Sequence, residues 1–240
     1  PKFPSAHNLR FLLRYGAVYG NKNAFFMADK TLAGMAQGGI FDHIGGGFCR
    51  YSTDERWLVP HFEKMTYDNA MLAMAYCEAG AAVNPAHFGT ARRALAYCLR
   101  EMADAGGAFY TAQDADSEGE EGRYYVFSPE EVERALGAQD GKRFCALFHI
   151  TREGNFGGKS IPHHIGRELS PEEEAFAQSC AEKLYGYRAR RVPPMKDDKI
   201  LSSVNGLMIA ALSTAGRLLR DAAYTQAAVR CASFVLCRLM

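Results

Sequence analysis

No apolar run in this chain approaches the ~20 residues that a membrane-spanning helix needs. Neither sign of charge is in excess: 28 basic residues stand against 27 acidic ones, a net of +1. That balance gives no electrostatic pull toward nucleic acid or an anionic membrane, and neither is expected as a partner. No Cys-x-x-Cys pair occurs, and the seven cysteines suit free thiols in a reducing compartment. Most of them fall on apolar helical faces and read as inert buried thiols; Cys49 is the exception, lying in a glycine-rich loop. No signal peptide opens the sequence, and a cytoplasmic location is the expectation. Tryptophan is nearly absent, with Trp57 alone.

What is present is helical periodicity. The spacing of apolar residues predicts helices near 5–18, 23–36, 67–82, 86–104, 129–136, 140–148, 171–189, 203–219 and 222–240. Ser128-Pro129-Glu130-Glu131 and Ser170-Pro171-Glu172-Glu173 each place Ser at N-cap, Pro at N1 and Glu at N3, a capping box with proline where no amide partner is lost. Connections alternate in length. Val83-Asn84-Pro85 is short and makes an antiparallel helix pair. The segments 37–66, 105–127 and 149–168 are long and rich in Gly and aromatics. The fold class expected is mostly α: a partial α/α toroid of antiparallel helix pairs with β-hairpin loops on one rim. The chain, 1–240, reads as an incomplete toroid domain. Its first residues lead almost directly into a helix and its last are still helical in pattern, so both ends read as cut from a longer polypeptide.

The densest concentration of ionisable groups lies in residues 38–69. Long loops of this kind in compact domains are usually functional. Asp42-His43 and His61-Phe62-Glu63-Lys64 supply a histidine able to carry a proton near neutral pH, with carboxylates able to fix its tautomer. His61 and Glu63 are two apart and share a face if extended. Trp57 and Tyr51 offer rings for the apolar face of a sugar, or anchors for the loop itself. Arg50, Arg56, Asp54, Asp68 and Asn69 complete the candidate set.

A second stretch echoes the first. Gly46-Gly47-Phe48-Cys49-Arg50-Tyr51-Ser52-Thr53-Asp54 is matched by Gly106-Gly107-Ala108-Phe109-Tyr110-Thr111-Ala112-Gln113-Asp114, which suggests a repeated unit. Phe109–Ala112 and Tyr124–Phe127 are expected to pair as a hairpin. Asp114 and Asp116 at the acidic turn are candidate acids or bases. As a calcium loop the turn fails, because Tyr125 stands where a bidentate Glu is needed. Gly154-Asn155-Phe156-Gly157-Gly158-Lys159-Ser160 misses the phosphate-loop pattern, with Glu153 at the first glycine position and Pro162 where a helix would begin. His163-His164 lacks partners at structural-zinc spacing. No metal and no cofactor is expected. Lys196-Asp197-Asp198-Lys199 precedes a helix that Ser202 or Ser203 is placed to cap; Asp198 is a further substrate-binding candidate.

Taken together, Gly45-Gly46-Gly47-Phe48, Arg50-Tyr51-Ser52, Asp54-Glu55-Arg56-Trp57-Leu58-Val59-Pro60-His61-Phe62-Glu63-Lys64-Met65 and Tyr67-Asp68-Asn69-Ala70 resemble the signature of the spermatogenesis-associated, thioredoxin-domain-containing family, which includes the bacterial YyaL-type proteins. Pro1-Lys2-Phe3-Pro4, Asp114–Gly122, Glu153-Gly154-Asn155-Phe156, Asp197–Leu201 and Asn205–Leu212 agree with it. The resemblance implies a toroid similar to six-hairpin glycosidases and N-acylglucosamine 2-epimerases. It also implies a thioredoxin-like domain elsewhere in the same full-length protein. Three positions depart from the pattern: Cys49 where His is usual, Val204 where Trp is usual, and Thr66 where Leu is usual. A site that used that histidine or tryptophan would here be modified.

The resemblance makes a sugar or other small molecule the expected ligand. In an epimerase-like reaction His61 is the base, oriented by Glu63 or Asp68, with Arg50 and Arg56 holding substrate oxygens. A glycosidase-like reaction would need two carboxylates from among Asp42, Asp54, Asp114 and Asp116. The alternative is a non-catalytic toroid that binds a partner or substrate for the thioredoxin-like domain.

Overall fold

The computed structural model describes residues 1–239. Its helices are α1 (Ala6–Tyr19), α2 (Lys22–Gln37), α3 (Thr66–Ala82), α4 (His87–Tyr97), α5 (Pro129–Leu136), α6 (Ala138–Leu147), α7 (Pro171–Arg188), α8 (Ser202–Leu218) and α9 (Ala222–Arg238). Seven two-residue strands lie between them: β1 (Tyr51–Ser52), β2 (Pro60–His61), β3 (Lys64–Met65), β4 (Ala112–Gln113), β5 (Asp116–Ser117), β6 (Glu120–Glu121) and β7 (Lys196–Asp197). Both capping boxes form as the sequence requires, with Ser128 and Ser170 each bonded to the N3 amide. The predicted helix over 86–104 breaks: α4 stops at Tyr97 and Cys98–Met102 continues as a π turn.

Helices α1, α3 and α8 lie side by side, and α2, α4 and α9 back them as hairpin partners. This row of antiparallel pairs is the layout of part of an α/α toroid. The central helix α3 has no single apolar face, because Leu72, Ala73, Met74, Ala75 and Tyr76 are buried in succession. A helix covered on all sides is apolar all round. A second core cluster gathers α5, α6 and α7 around Phe127, Val132, Phe144, Phe148 and Leu184. Ile44, from the glycine-rich loop, is inserted into it.

The three-stranded antiparallel sheet β3-β4-β7 ties the long loops together at the N-terminal ends of α3 and α8. The hairpin expected between Phe109–Ala112 and Tyr124–Phe127 is absent. Ala112 pairs instead with Met65 and Asp197, and Phe127 bridges to Ser160. The hairpin that forms is tighter, β5 against β6. Glu118 and Gly119 occupy its two central turn positions at φ 54° and 77°, the left-handed pair a type I′ turn demands. Nor does Ser202 or Ser203 cap α8. Leu201 is its N-cap, and no side chain caps the helix there.

The echo between the two loops is structural. Asn69 and Asn205, each the fourth residue of its helix, grip one aromatic residue's backbone from both sides. Asn69 Oδ1 accepts from Phe48 N at 2.7 Å while Nδ2 donates to Phe48 O at 3.0 Å. Asn205 repeats both bonds on Phe109, at 2.7 and 3.0 Å. In each case Nδ2 also donates to the carbonyl four residues earlier.

Candidate functional site

Two polar clusters occupy the rim, one sealed and one open. The sealed one centres on Asp42. Its carboxylate receives Arg188 in a fork at 3.0 and 2.9 Å, Lys64 Nζ at 2.8 Å, and the amides of Ile44 and Gly45. Lys64 is 1% exposed and Arg188 2%. Burial works to raise the Asp42 pKa, but Arg188 and Lys64 overcome it and hold the carboxyl well below its usual range. Lys64 also donates to Gly46 O at 2.9 Å and lies 4.5 Å from the Tyr97 ring centre. The glycine at 45 has a definite cause here: a Cβ would stand 2.1 Å from Arg188 Nη2. Loop, α4 and α7 are thereby locked around one ion cluster.

His43 and Cys49 border this cluster, beside a cavity of about 10 Å³, roughly the space of one water. His43 Nε2 pairs with Gly38 O at 2.9 Å. Burial, then His164 and Arg93, push its pKa well down, so it stays neutral. Burial pushes the Cys49 thiol up to about 12, which makes it a packed, unreactive group.

The open cluster is built on the β1–β2 pair. Register sets Tyr51 opposite His61, and the two rings stack at 5.0 Å and 25°. His61 Nδ1 meets Glu121 Oε1 at 2.7 Å, and Nε2 stands 3.9 Å from Glu63 Oε2. Glu63 takes a 2.8 Å hydrogen bond from Arg50 Nη1. Asp68 follows in the first turn of α3. Its Oδ2 is buried without a hydrogen-bond partner, as is Arg50 Nε. Burial raises the Asp68 pKa to about 7, against the pull of nearby Arg50 and with the push of Glu63. Glu121 reaches His61 because Gly122 lets the hairpin press onto Phe62: a Cβ at 122 would stand 2.5 Å from that ring. The Phe62 amide also donates to Glu121, at 3.2 Å.

His61, Glu63, Asp68, Arg50 and Tyr51 are thus brought together. The remaining candidates are placed elsewhere. Asp42 and His43 belong to the sealed cluster. Asp54 accepts from the amides of Arg56, Leu58 and Val59, bracing its own loop. Trp57 is buried at φ 66°, with its ring against Gly34 and under Lys2 Nζ at 4.1 Å; it anchors the loop. Arg56 is exposed. Asn69 is consumed by its clamp. Asp114 is exposed and bonds the amide of Ala115, and Asp116 and Asp198 are exposed. Among the described residues no three His, Cys, Asp or Glu side chains gather as a metal site would require. None of their helices is long and apolar enough to cross a membrane.

No protein-family model matches the chain. Spermatogenesis-associated protein 20 of Homo sapiens is 35% identical to it over 258 residues, which is 91% of this chain and 33% of that protein. The Rattus norvegicus protein of the same name is 34% identical over the same shares. The chain is a homologue of these proteins. It spans 33% of their length. Two solved structures are similar in fold: cellobiose 2-epimerase from Bacillus thermoamylovorans, at 12% identity and TM-score 0.41 over 96% of this chain and 74% of that one, and cellobiose 2-epimerase from Spirochaeta thermophila, at 14% identity and TM-score 0.41 over 96% and 57%. Those overlaps are too loose to transfer a residue or a reaction.

In this homologue of spermatogenesis-associated protein 20, sequence reasoning missed Glu121, Tyr67 and Arg188. Tyr67 lies beside Arg50, and both it and Glu121 belong to the open cluster. Glu121 stands next to the acidic turn that carries Asp114 and Asp116. The signal for it was Gly122, a glycine flanked by large residues, which implies a close approach. Of the departures from the family pattern, Cys49 is buried beside the sealed cluster, and Val204 is buried on α8.

Proposed function

We propose that the open cluster transfers protons on a sugar-like small molecule, in the manner of an aldose–ketose or epimerase reaction. The observation that carries this reading is the grouping of a carboxylate-oriented His61 with Glu63 and Arg50 at one open edge, next to Asp68, whose pKa burial raises to about 7. A group whose pKa lies near the working pH both gives and takes protons efficiently. Glu121 accepts from Nδ1–H of His61 in the tautomer that leaves Nε2 bare as the base. The base removes the proton α to a carbonyl, and the electron pair moves onto the carbonyl oxygen, where Arg50 offers a positive charge. Protonated Asp68 returns a proton to the carbon. A two-carboxylate glycosidase site finds less support, since Asp42 and Asp54 are spent on ion pairs and loop amides.

The test is to incubate the full-length protein with N-acetylhexosamines and cellobiose in D2O and follow the sugar by NMR. Deuterium entering next to the carbonyl carbon, lost in H61A and D68N, is the expected result. Absence of exchange, epimer and cleavage with every sugar sinks the reading.

The exposed side chains of α1 and α2 favour a second reading. Phe11, Tyr15, Val18, Tyr19, Phe26 and Met27 form an apolar face toward solvent, and such faces mark interaction surfaces. In that reading the face seats the thioredoxin-like domain that the resemblance implies, and the rim grips that domain's client. Trapping the redox cysteine and recovering bound protein tests it; recovery of nothing specific counts against it.

A further inference from the structure

The helices α1, α3 and α8 meet their hairpin partners at equivalent points. A Cβ at Gly16 would press on Phe25 of α2, one at Gly80 on Phe88 of α4, and one at Gly216 on Thr225 of α9. Each glycine marks the side its helix turns to its partner, so the three glycines set a common register. In that register Phe11 and Tyr15 of α1 fall where α3 has Ala75 and Ala79 and α8 has Ala211 and Ala215. All four alanines are 0% exposed. On α3 this side faces α1, because Glu78, one turn on from Ala75, is held by Arg10 and Arg14 of α1. Helix α8 packs on α3 next in the same row.

On α1 the equivalent side is open. Phe11 is 63% exposed and Tyr15 39%, with Val18 beside them at 74%. An end unit in an array of stacked repeats needs a polar outer face, and this one is aromatic. The curated relatives hold more polypeptide, since the chain spans 33% of their length. Close helix packing sets large side chains opposite small ones, so Phe11 and Tyr15 call for alanine or glycine across the contact. We infer that this side of α1 is an interface for a further helix of the same full-length protein, one that presents small residues and continues the row of α1, α3 and α8. The repeat thus calls for a helix where the second reading above seats the thioredoxin-like domain. Nothing in the inference depends on the proton-transfer reading.

The experiment places the photocrosslinker p-benzoylphenylalanine at position 11, and separately at position 15, of the full-length protein. Both substitutions exchange one exposed aromatic side chain for another, and the melting temperature of each variant is the folding control. After illumination of dilute protein, the joined peptides are identified by mass spectrometry. The expected result is capture, within one molecule, of an alanine- or glycine-bearing helix that lies outside residues 1–240 and outside the thioredoxin-like domain, from both positions. Capture of the thioredoxin-like domain overturns the inference in favour of the second reading. Capture of a second copy overturns it in favour of a dimer. Capture confined to residues 1–240, or no capture at all, leaves the side in water and overturns it too.

Discussion

Replacing Asp68 by Asn should stabilise the protein, and the gain should depend on pH. The carboxyl is raised from its ordinary 3.8 to about 7 by burial. Between those values the folded state holds a proton that the unfolded chain has released, so stability falls as pH rises through this window and levels off above about 7. A shift of that size is worth up to ~4 kcal/mol; partial access of water reduces it to ~2 kcal/mol. D68N removes the penalty. At pH 8 it should melt about 4–8 °C above the wild type, from the usual conversion for a domain of this size. At pH 4 the two should nearly coincide. Thermal melts at a series of pH values give the difference curve, and carbon NMR of the Asp68 carboxyl gives the titration directly. A pKa near 4, or a D68N curve parallel to the wild type at all pH values, refutes the reasoning.

Other perturbations read the rest of the rim. R188M leaves Asp42 buried with one cation in place of two. Breaking a buried pair of this kind costs about 3–5 kcal/mol, and chemical denaturation should show a loss in that range. Asn69→Ala and Asn205→Ala each remove three equivalent hydrogen bonds, and Asn205→Ala also removes the weak one that its Oδ1 accepts from Cys231 Sγ. They should destabilise by similar amounts, ~2–4 kcal/mol from unsatisfied buried backbone groups, and a gap larger than that between the two would argue against equivalent units. Acid should loosen the segment after α6. Burial, then His149 and Arg56, hold His163 down to about 4, so the stability of its neutral form is complete above 6.5 and drains as pH falls toward 4. Because His163 is only partly buried, the effect is about 1–2 kcal/mol, and H163F should flatten the acid limb of a melting-temperature curve.

Helix positions were legible because caps and periodicity act over a few residues. Ser128 and Ser170 with their glutamates announce two helix starts, and the fold obeys both. The π turn after Tyr97 left no such mark, since its residues are as apolar as the helix before it. In the site, His61, Glu63, Arg50, Tyr51 and Asp68 could be chosen together because one loop carries them. Their partner Glu121 lies 60 residues away in sequence, and Arg188 lies 146 from Asp42. Pairings at that range depend on how loops cross, which local pattern does not encode. The misplaced hairpin has the same origin. Phe109–Ala112 and Tyr124–Phe127 both look like strands, but Ala112 finds Met65 and Asp197 across the rim, and the tight Glu118-Gly119 turn pairs the acidic residues between them.

The glycines of the loop divide the chemistry between the two clusters. Gly45 admits Arg188 to Asp42, and the sealed cluster that results fixes the path of the chain from Gly38 to Lys64. Gly122 admits the hairpin to Phe62, and that contact delivers Glu121 to His61. One cluster is fully paired, apart from Arg188 Nε, and one leaves the Asp68 oxygen and the Arg50 nitrogen unpaired. The proposed function asks for locked support behind a more open group, and Asp42, Lys64 and Arg188 supply such support behind His61, Glu63, Arg50 and Asp68. Loosening the first should therefore impair the second without touching it. R188M, assayed at a temperature where it remains folded, should weaken neutral-sugar binding although Arg188 contacts none of the open cluster's side chains. Unchanged binding in the folded variant would show that the open cluster is held by β1, β2 and α3 alone.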